Sequence, residues 1–588
     1  MRCAMHRVPL RAALWLSIAY ASASAQTTHV ASVSTAGVLA NGPSESPVIS
    51  VDGRYVFFQR LASNMVPGDP DAIRDAYVRD MQIGVTELIS ISSAGAHAAG
   101  ASFATSISAD GRYAVFTSIA GNLVPGDTGS DTDIYVRDRV AGTTVIVSVD
   151  SAGVHGNGNS EVGVISPDGR YVAFRSQATN LVSGDTNGEW DVFVYDRQTG
   201  TTARVNLGPG GAQAQGDSYV TSLSFDARHV LFSSLASDLV TGDTNNERDV
   251  FVHDRQVGLT RRISLDSAGV QTNGDSHAGF LSADGRFATY VSEGTNLVPA
   301  DSNGVQDVFV HELATSVTTR VSVASGGGQS NGFSTGTGIS ADGRYVSMAS
   351  TATNLVQGDV GFSDVFLHDR WSAHTTRVGL SAGGSTPNGG SHGGAISADA
   401  RYVAFFTAAS NVVPTIPGGV NQVYVRDRGP SSPHTALCTG DFGTACPCTN
   451  HSTAGTNEGC LNSFGLGGKL VGNGTASLAS DTLVLAGSQM TNGTCLYFQG
   501  TAAQSSGFGS TFGDGLRCAG VTTARLGTTT NVSGASQYPF GAALPVSIRG
   551  AVAAPGSRTY QVWYRNAASF CTASTFNLTN GLWVLWTM

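Results

Sequence analysis

The stretch Ser166-Pro167-Asp168-Gly169-Arg170-Tyr171-Val172-Ala173-Phe174 decides the fold, because copies of it recur at a nearly constant spacing. The glycine is alanine in two copies, whereas the arginine is present in all seven. The aspartate returns at intervals of 58 residues five times and 57 once, at Asp52, Asp110, Asp168, Asp226, Asp284, Asp342 and Asp399. Internal periodicity of this kind is typical of solenoids, propellers and other repeat arrays.

Each repeat is interpreted as four short strands. In the third repeat one strand ends near residue 165, and the others cover 170–176, 191–196 and 201–207. Their residues are mostly β-branched or aromatic, as in strands that are buried on both faces. Pro167-Asp168-Gly169 and Gln198-Thr199-Gly200 contain the glycine that tight hairpin turns require. The repeat shows no helical period.

Four antiparallel strands in each of seven repeats predict an all-β, seven-bladed β-propeller. A β-helix is the weaker interpretation, because it needs shorter, parallel coils. The seventh repeat stops at Gly429-Pro430 without its last strand, whereas residues 28–34 match residues 318–324. We therefore expect the N-terminal strand to complete the last blade and close the ring, which removes an exposed sheet edge.

The residues quoted at the start, with their counterparts in the other repeats, resemble the WD-repeat-like units of TolB-type propellers. The resemblance covers about 400 residues and all seven repeats. It implies a protein-binding role. The repeat here is longer than the usual propeller blade of about 40–45 residues.

The strand order places the additional length on one side of the ring. The loop 177–190 and the link 208–218 lie on the same face, which we call the long-loop face, and the tight turns lie on the opposite, short-turn face. Arg170 and Asp196 belong to adjacent strands and are expected to pair near the short-turn face. Loops on a rigid scaffold commonly carry function.

The long loops contain a repeated acidic pattern that suits a cation. Alternating oxygen ligands fit Ca²⁺, although the bidentate glutamate of a calcium loop is missing. The alternative, which we favour, is that these residues form Asx turns and cap loop amides. The calcium candidates are Asp185, Asn187 and Asp191, Asp243, Asn245 and Asp249, and Asp301, Asn303 and Asp307, with Asp69, Asp71 and Asp75 as a variant.

The usual signatures of enzymes are absent or out of context in the sequence. Gly-x-Ser-x-Gly occurs around Ser330 and Ser391, but neither serine has the strand–turn–helix context of a nucleophile elbow. Ser391 instead belongs to a serine repeated in every unit. His277 and His392 fall in equivalent inter-blade positions and are interpreted as ordinary loop residues. We predict no catalytic residue and no firm cofactor, and we leave open a single-copy pair of acids among the loops.

The first 25 residues predict a secretory signal peptide, with early arginines, an apolar run and Ala23-Ser24-Ala25 at the end. The chain of 588 residues has 33 basic and 43 acidic side chains, so a nucleic-acid partner is not expected. No later apolar run is long enough to predict a membrane span. We expect an exported protein of the periplasm, cell surface or extracellular space.

Beyond a linker at 429–437, residues 438–588 are predicted to form a small β-sandwich. Cysteine is absent from residues 26–437, and export favours disulfides over zinc binding. The disulfide candidates are Cys438, Cys446, Cys448, Cys460, Cys495, Cys518 and Cys571. Their number is odd, so at least one is free or pairs between chains. The stretches 512–518 and 570–581 resemble a C-terminal module of exported proteins from planctomycete-like bacteria.

Together these features predict an exported, non-enzymatic protein that binds a protein or glycan through the long-loop face. The alternatives are a propeller hydrolase or lyase, with or without calcium, and a structural component of the cell envelope. A single acid–histidine cluster that breaks the repeat at the central channel would favour the enzyme, and sevenfold sameness there would favour binding.

Overall fold

The structure is a computed structural model. It describes residues 26–67, 73–127, 129, 131–359, 361–371, 373–381, 384–413, 418–429, 434–437, 446–447, 458–474, 476–478, 481–503, 510–512, 514–553, 556–566 and 575–586. The predicted signal peptide, Cys438, Cys448, Cys571 and the acidic residues Asp69 and Asp71 lie outside this part of the chain.

Seven four-stranded antiparallel sheets form the blades of the propeller. Blade 7 takes its outermost strand from the chain start, β1 (Thr27–Val30). Blades 1 to 3 consist of β2 (Ser44–Ile49), β3 (Tyr55–Leu61), β4 (Arg74–Asp80) and β5 (Val85–Leu88); β6 (Ser102–Ile107), β7 (Tyr113–Ser118), β8 (Asp133–Asp138) and β9 (Thr143–Ile146); and β10 (Ser160–Ile165), β11 (Tyr171–Ser176), β12 (Asp191–Asp196) and β13 (Thr201–Arg204). Blades 4 to 7 consist of β14 (Ser218–Leu223), β15 (His229–Ser234), β16 (Asp249–Asp254) and β17 (Leu259–Arg262); β18 (Ser276–Leu281), β19 (Phe287–Ser292), β20 (Asp307–Glu312) and β21 (Val317–Arg320); β22 (Ser334–Ile339), β23 (Tyr345–Ser350), β24 (Asp364–Asp369) and β25 (His374–Arg377); and β26 (Ser391–Ile396), β27 (Tyr402–Thr407) and β28 (Gln422–Asp427).

The ring is closed by the two ends of the propeller, as predicted. Strand β1 pairs antiparallel with β28, with Thr28 opposite Arg426. The first strands of successive blades contact one another all round, including β2 with β26. Ser44 N–H donates to the Asn421 carbonyl of blade 7 at 2.9 Å. The first strand of each blade is therefore the innermost strand and lines the central channel.

The cores lie between neighbouring blades, because each strand buries side chains on both faces of its sheet. One cluster joins Val115 and Ile134 of blade 2 to Val172 and Phe174 of blade 3. Within blade 3 the rings of Phe174 and Phe193 stack at 5.8 Å. This double burial explains the nearly continuous apolar runs of the second and third strands.

The C-terminal region contains a sandwich of two main sheets, as predicted. The larger sheet contains β29 (His434–Leu437), β32 (Gly493–Ala503), β35 (Ala519–Asn531), β37 (Gly556–Arg565), β38 (Phe576–Leu578) and β39 (Gly581–Trp586). The smaller sheet contains β30 (Lys469–Asn473), β31 (Val484–Ser488) and β36 (Ser536–Tyr538). Apolar residues from both sheets, including Leu485, Tyr497 and Tyr560, share one core. A hairpin of β33 (Ser510–Phe512) and β34 (Gly515–Arg517), a helical turn α1 (Val546–Arg549) and a 3₁₀ turn at Pro209–Gly211 complete the described elements.

Two expectations for this region change. Residues 434–437, placed in the linker by the sequence, form β29 and pair with β39, since Leu437 lies opposite Gly581. Cys446 and Cys460 form a disulfide, and Cys518 is also disulfide-bonded. Cys495, a disulfide candidate, is instead a buried free thiol, with Sγ 3.2 Å from Ser536 Oγ.

Within the described residues, no helix has the length and apolar character needed to cross a membrane.

Candidate functional site

The long loops form a hydrogen-bonded belt on one face of the ring. The Asn180 side chain accepts from Asn157 N–H at 3.0 Å and donates to the His155 carbonyl at 2.8 Å. This connects the loop inside blade 3 to the link that precedes it. The equivalent clamp recurs in blade 1 through Asn64 and in blade 5 through Asn296. The repeated Asn-Leu-Val motif therefore keeps the long-loop face in a defined shape.

The acidic residues of the predicted calcium pattern surround an arginine. In blade 3, Arg204 Nη1 lies 3.6 Å from Asp185 Oδ1 and 3.0 Å from Asp191 Oδ2. Arg262 and Arg320 hold the equivalent aspartates, the first at 3.0 and 3.1 Å from Asp243 and Asp249, the second at 3.2 and 3.5 Å from Asp301 and Asp307. These carboxylates are buried, and burial raises the pKa of Asp191, Asp243 and Asp301.

The asparagines of the pattern form the Asx turns that we favoured. Asn187 accepts from Glu189 N–H at 3.2 Å and donates to the Ala214 carbonyl at 2.7 Å. Asn245 and Asn303 make the equivalent bonds. Among the described residues, no group of three or more His, Cys, Asp or Glu side chains is arranged to hold a metal ion. Calcium binding by this pattern stays the alternative that we do not favour.

The innermost strands, which surround the central channel, begin on the long-loop face with side chains that vary among the blades. Each innermost strand begins with a buried serine, and the next side chain is at least partly exposed. Those side chains differ from blade to blade: Glu45, Phe103, Glu161, Tyr219, His277, Thr335 and His392. The residue just before the buried Asp or Gln at the start of the third strand also varies, as Arg74, Thr132, Trp190, Arg248, Gln306, Ser363 and Asn421. We call this set of residues the channel mouth.

In blades 3 to 5 the channel mouth carries a continuous stack of side chains. Arg175 pairs with Glu161, and its guanidinium carbon lies 4.4 Å from the Trp190 ring and 4.3 Å from the Tyr219 ring. The guanidinium carbon of Arg248 lies 4.8 Å from the centre of the same Tyr219 ring, so the stack extends from Trp190 to Arg248. We call Glu161, Arg175, Trp190, Tyr219, Arg248 and His277 the mouth stack.

The stack ends at a histidine and is bordered by carboxylates. His277 Nδ1 lies 3.5 Å from Arg248 Nη1. Burial is the main cause that lowers the pKa of His277, and the positive charge of Arg248 lowers it further. The imidazole is therefore neutral at pH 7. The bordering carboxylates are Glu189 and Glu247. A hydrogen bond with Asp217 raises the pKa of Glu189, and partial desolvation, with a smaller effect of the Asp275 charge, raises the pKa of Glu247. This border is acidic, whereas the stack itself contains two arginines.

The serines of the Gly-x-Ser-x-Gly matches lie in a structural setting. Ser391 begins β26 and is buried, and Ser330 donates to the Gly332 carbonyl at 2.7 Å within a link between blades. His392 packs on Phe406 at 5.5 Å, in a different blade from His277. These residues do not form a nucleophile–base pair.

On the short-turn face, the predicted pairing of the repeated Arg and Asp is confirmed. Arg170 Nη2 lies 2.6 Å from Asp196 Oδ2, and the guanidinium packs 4.7 Å from the Tyr171 ring. The hydrogen bonds from Arg170 lower the pKa of Asp196 to about 2. The same pair joins Arg112 to Asp138 and Arg228 to Asp254. Its recurrence in successive blades supports a structural role.

The mouth stack cannot be predicted from the residues that the repeats share. Trp190 and Tyr219 nevertheless stand at repeat positions whose residue differs between neighbouring blades, and this variation was a signal in the sequence. Residues 161 and 277 are two repeats apart, and only the ring geometry brings such positions to one opening.

No family model matches the chain, and no curated protein matches it either. Among solved structures, the chain is similar to a protein assigned as TolB from Agrobacterium tumefaciens, at 15% identity and a TM-score of 0.30, over 50% of this chain and 83% of that one. It is similar to oligogalacturonate lyase from Vibrio parahaemolyticus at 13% identity and a TM-score of 0.39, over 69% and 92% of the two chains. It is also similar to the β-propeller domain of the trilobed protease from Pyrococcus furiosus at 9% identity and a TM-score of 0.41, over 66% and 95%. At these TM-scores the activities of the three proteins carry no information about this chain. The strand topology establishes the β-propeller, and the relation of the C-terminal region to a module of planctomycete-like proteins stays a prediction.

Proposed function

We propose that the protein is an exported, non-enzymatic binding protein that recognises a protein or glycan through the long-loop face. The mouth stack is its anchor, and the belt of clamped loops keeps the stack in place. The cell envelope is the compartment in which we expect the ligand.

The observation that carries this proposal is the concentration of variable, partly exposed side chains at the channel mouth, among them Trp190 and Tyr219. The Asp-Gly-Arg turns and the third strands change little between repeats because they build the blade, whereas these mouth positions change from one blade to the next, as is expected of a recognition surface. Trp, Tyr and Arg are also the residues that most often dominate binding energy at interfaces. The loop acids are unsuitable as primary contacts, because they are buried around arginines.

The mouth is not the same in all seven blades, which counts against the sameness expected of a binding role, so a propeller hydrolase or lyase is the second candidate and is favoured over a purely structural role. The mouth contains both an acid, Glu161, and a histidine, His277. Glu161 pairs with Arg175, however, and the hydrogen bond of His277 is to Arg248. Because an arginine neutralises Glu161 and a cation lies beside His277, the two residues are poorly placed for acid–base exchange with each other.

The test compares ligand capture by the full-length exported chain and its Trp190→Ala variant, using the native envelope fraction and a glycan array. Losing an aromatic anchor costs about 2 kcal/mol or more, which weakens affinity by about 30-fold or more. Gln306→Ala is the matched control, because Gln306 occupies the position of Trp190 two blades away. Arg286→Ala controls for the opposite face.

We expect Gln306→Ala and Arg286→Ala to capture the same ligand as the unmodified chain. Equal capture by Trp190→Ala would remove the mouth stack from the binding surface. If a captured glycan or peptide is shortened on incubation, and Glu161→Gln prevents this, the enzyme is the correct function.

A further inference from the structure

The short-turn face repeats one further contact, between a guanidinium and the ring of the preceding blade. Arg139 of blade 2 lies 4.7 Å from the Tyr55 ring of blade 1, and its Nη1 donates to the Gly111 carbonyl at 2.5 Å. Gly111 also rests on Tyr55, since an added Cβ would lie 2.1 Å from the ring. A slot for the guanidinium is thus formed by the Tyr55 ring, the Gly111 carbonyl of the turn and the edge of the outer strand of blade 1.

Four other junctions between blades hold an arginine in the same slot. The distances from guanidinium carbon to ring centre are 4.0 Å for Arg197 and Tyr113, 4.6 Å for Arg255 and Tyr171, 4.5 Å for Arg370 and Phe287, and 5.2 Å for Arg428 and Tyr345. Each arginine also donates to the carbonyl of the turn, at Gly169, Ala227, Gly343 and Ala400 respectively.

At two junctions the arginine is replaced by an apolar residue. Leu313 takes its place between blades 4 and 5, but the ring there is also changed, to His229, whose Nε2 lies 3.6 Å from Asp254 Oδ2. Met81 takes its place between blades 7 and 1, where the ring is still a tyrosine, Tyr402. Gly53 rests on Tyr402 as Gly111 rests on Tyr55, with an added Cβ 2.1 Å from the ring.

The walls of the slot are therefore complete at the closing junction, although its own guanidinium is missing. An open cavity of about 590 Å³ lies there, lined among others by Tyr402, Gly53, Met81, His29 and Asp427. Within the described part of the chain, no side chain donates to the Gly53 carbonyl. Arg401 lies 4.6 Å from the Tyr402 ring, as Arg54 lies 4.8 Å from Tyr55 in the first junction.

The charges around the cavity match those around an occupied slot. Arg54 is neutralised by Asp80 at 2.6 Å. Arg79 also lines the cavity and adds a positive charge to it. The equivalent residue of blade 2, Arg137, lies beside the slot that Arg139 occupies, so a neighbouring arginine is compatible with a bound guanidinium. One difference is that Glu87, which pairs with Arg139 at 2.7 Å, is replaced at the closing junction by the exposed His29.

We propose that the junction of blades 7 and 1 is a binding site for a guanidinium group supplied from outside the chain. The ring of Tyr402 provides the cation–π face, and the Gly53 carbonyl accepts the hydrogen bond, as their counterparts do for the five internal arginines. The site is on the face opposite the mouth stack, so it is independent of the function proposed above. The guanidinium comes either from a small molecule or from an arginine side chain of a protein partner.

The test titrates methylguanidinium and an arginine-containing peptide into the full-length chain and follows the ligand signals by NMR. We expect saturable binding of methylguanidinium that is at least tenfold weaker in Met81→Arg, because the introduced arginine fills the slot from within. Leu313→Arg, at the other apolar junction, is the matched control and should bind as the unmodified chain does.

A second variant keeps the proposal testable if Met81→Arg does not fold. His29→Glu places at an exposed position the carboxylate that Glu87 supplies in the slot of Arg139, and it should tighten methylguanidinium binding several-fold. Tighter binding of the peptide than of methylguanidinium would indicate a protein partner, and equal binding a small molecule. Absence of saturable methylguanidinium binding, or binding unchanged in both Met81→Arg and His29→Glu, would overturn the proposal.

Discussion

Replacing Gly379 with serine is expected to stabilise blade 6. Most blades have a buried aspartate at or near the start of the third strand, and a side chain two residues beyond the end of the fourth strand donates to it. Ser90 donates to Asp75 at 2.5 Å and Ser148 to Asp133 at 2.6 Å. In blade 6 the donor position is Gly379. Asp364 Oδ2 lies 3.4 Å from Arg377 Nε, but neither buried carboxylate oxygen accepts a hydrogen bond.

The expected gain follows from the restored bond. A hydrogen bond to a charged group contributes about 1.5–3 kcal/mol, and the lost freedom of glycine in the unfolded chain adds about 0.4–1 kcal/mol. A Cβ at position 379 would lie 3.0 Å from Ser391 Oγ and 3.1 Å from Ser391 Cβ, so Ser391 must rotate its hydroxyl and shift by a few tenths of an ångström. Allowing about 1 kcal/mol for this strain, comparable to an off-rotamer side chain, we expect a net gain of about 1–3 kcal/mol.

The gain should depend on pH. Burial raises the pKa of Asp364 to about 7, against the effect of Arg377, and Asp359 raises it further. Because the folded pKa lies above the unfolded value, the native state binds the extra proton, and the stability from this group falls as pH rises from about 4 to 7. Serine stabilises the ionised form, so its benefit should be larger at pH 7.5 than at pH 4.

Denaturant unfolding of the full chain at both pH values measures this effect. Ser322→Gly is the matched control, because it removes the equivalent donor to Asp307 in blade 5. It should lose about as much unfolding free energy at pH 7.5 as Gly379→Ser gains. If Ser322→Gly is destabilised while Gly379→Ser equals the unmodified chain at pH 7.5, the Asp364 oxygens are already satisfied and the reasoning is wrong.

Two further predictions concern the propeller. His311 and His368 are buried neutral, and burial lowers the pKa of each to about 4. Their contribution to stability is complete above the unfolded pKa of about 6.5 and is lost as pH falls towards 4. His311→Gln should therefore make the unfolding free energy depend less steeply on pH over that range. An unchanged pH profile would contradict this. Removing calcium with a chelator should leave the melting temperature nearly unchanged, because Arg204 and its counterparts already balance the loop acids; a rise of several degrees with added Ca²⁺ would show a real site.

Much of the fold could be predicted because the information is local and repeated. The spacing of the Asp-Gly-Arg turns and the apolar strands determines the number of blades and the order of strands. The truncated seventh repeat and the matching residues 28–34 determine the closure by β1. The pairing of Arg170 with Asp196 also follows, since two adjacent strands joined at a known face bring the two residues together. Strand β29 was missed because its pairing partner, β39, lies almost 150 residues later.

Only the tertiary structure decided which polar residues are buried and which are available. Asp185 and Asp191 resemble calcium ligands in the sequence, but the fourth strand places Arg204 between them. Trp190, Tyr219 and Arg175 come from three different strands or loops, and they meet because neighbouring blades converge at the channel. Local sequence sets strands and turns through backbone preferences, whereas contacts between residues from different strands and blades depend on how the closed ring arranges them.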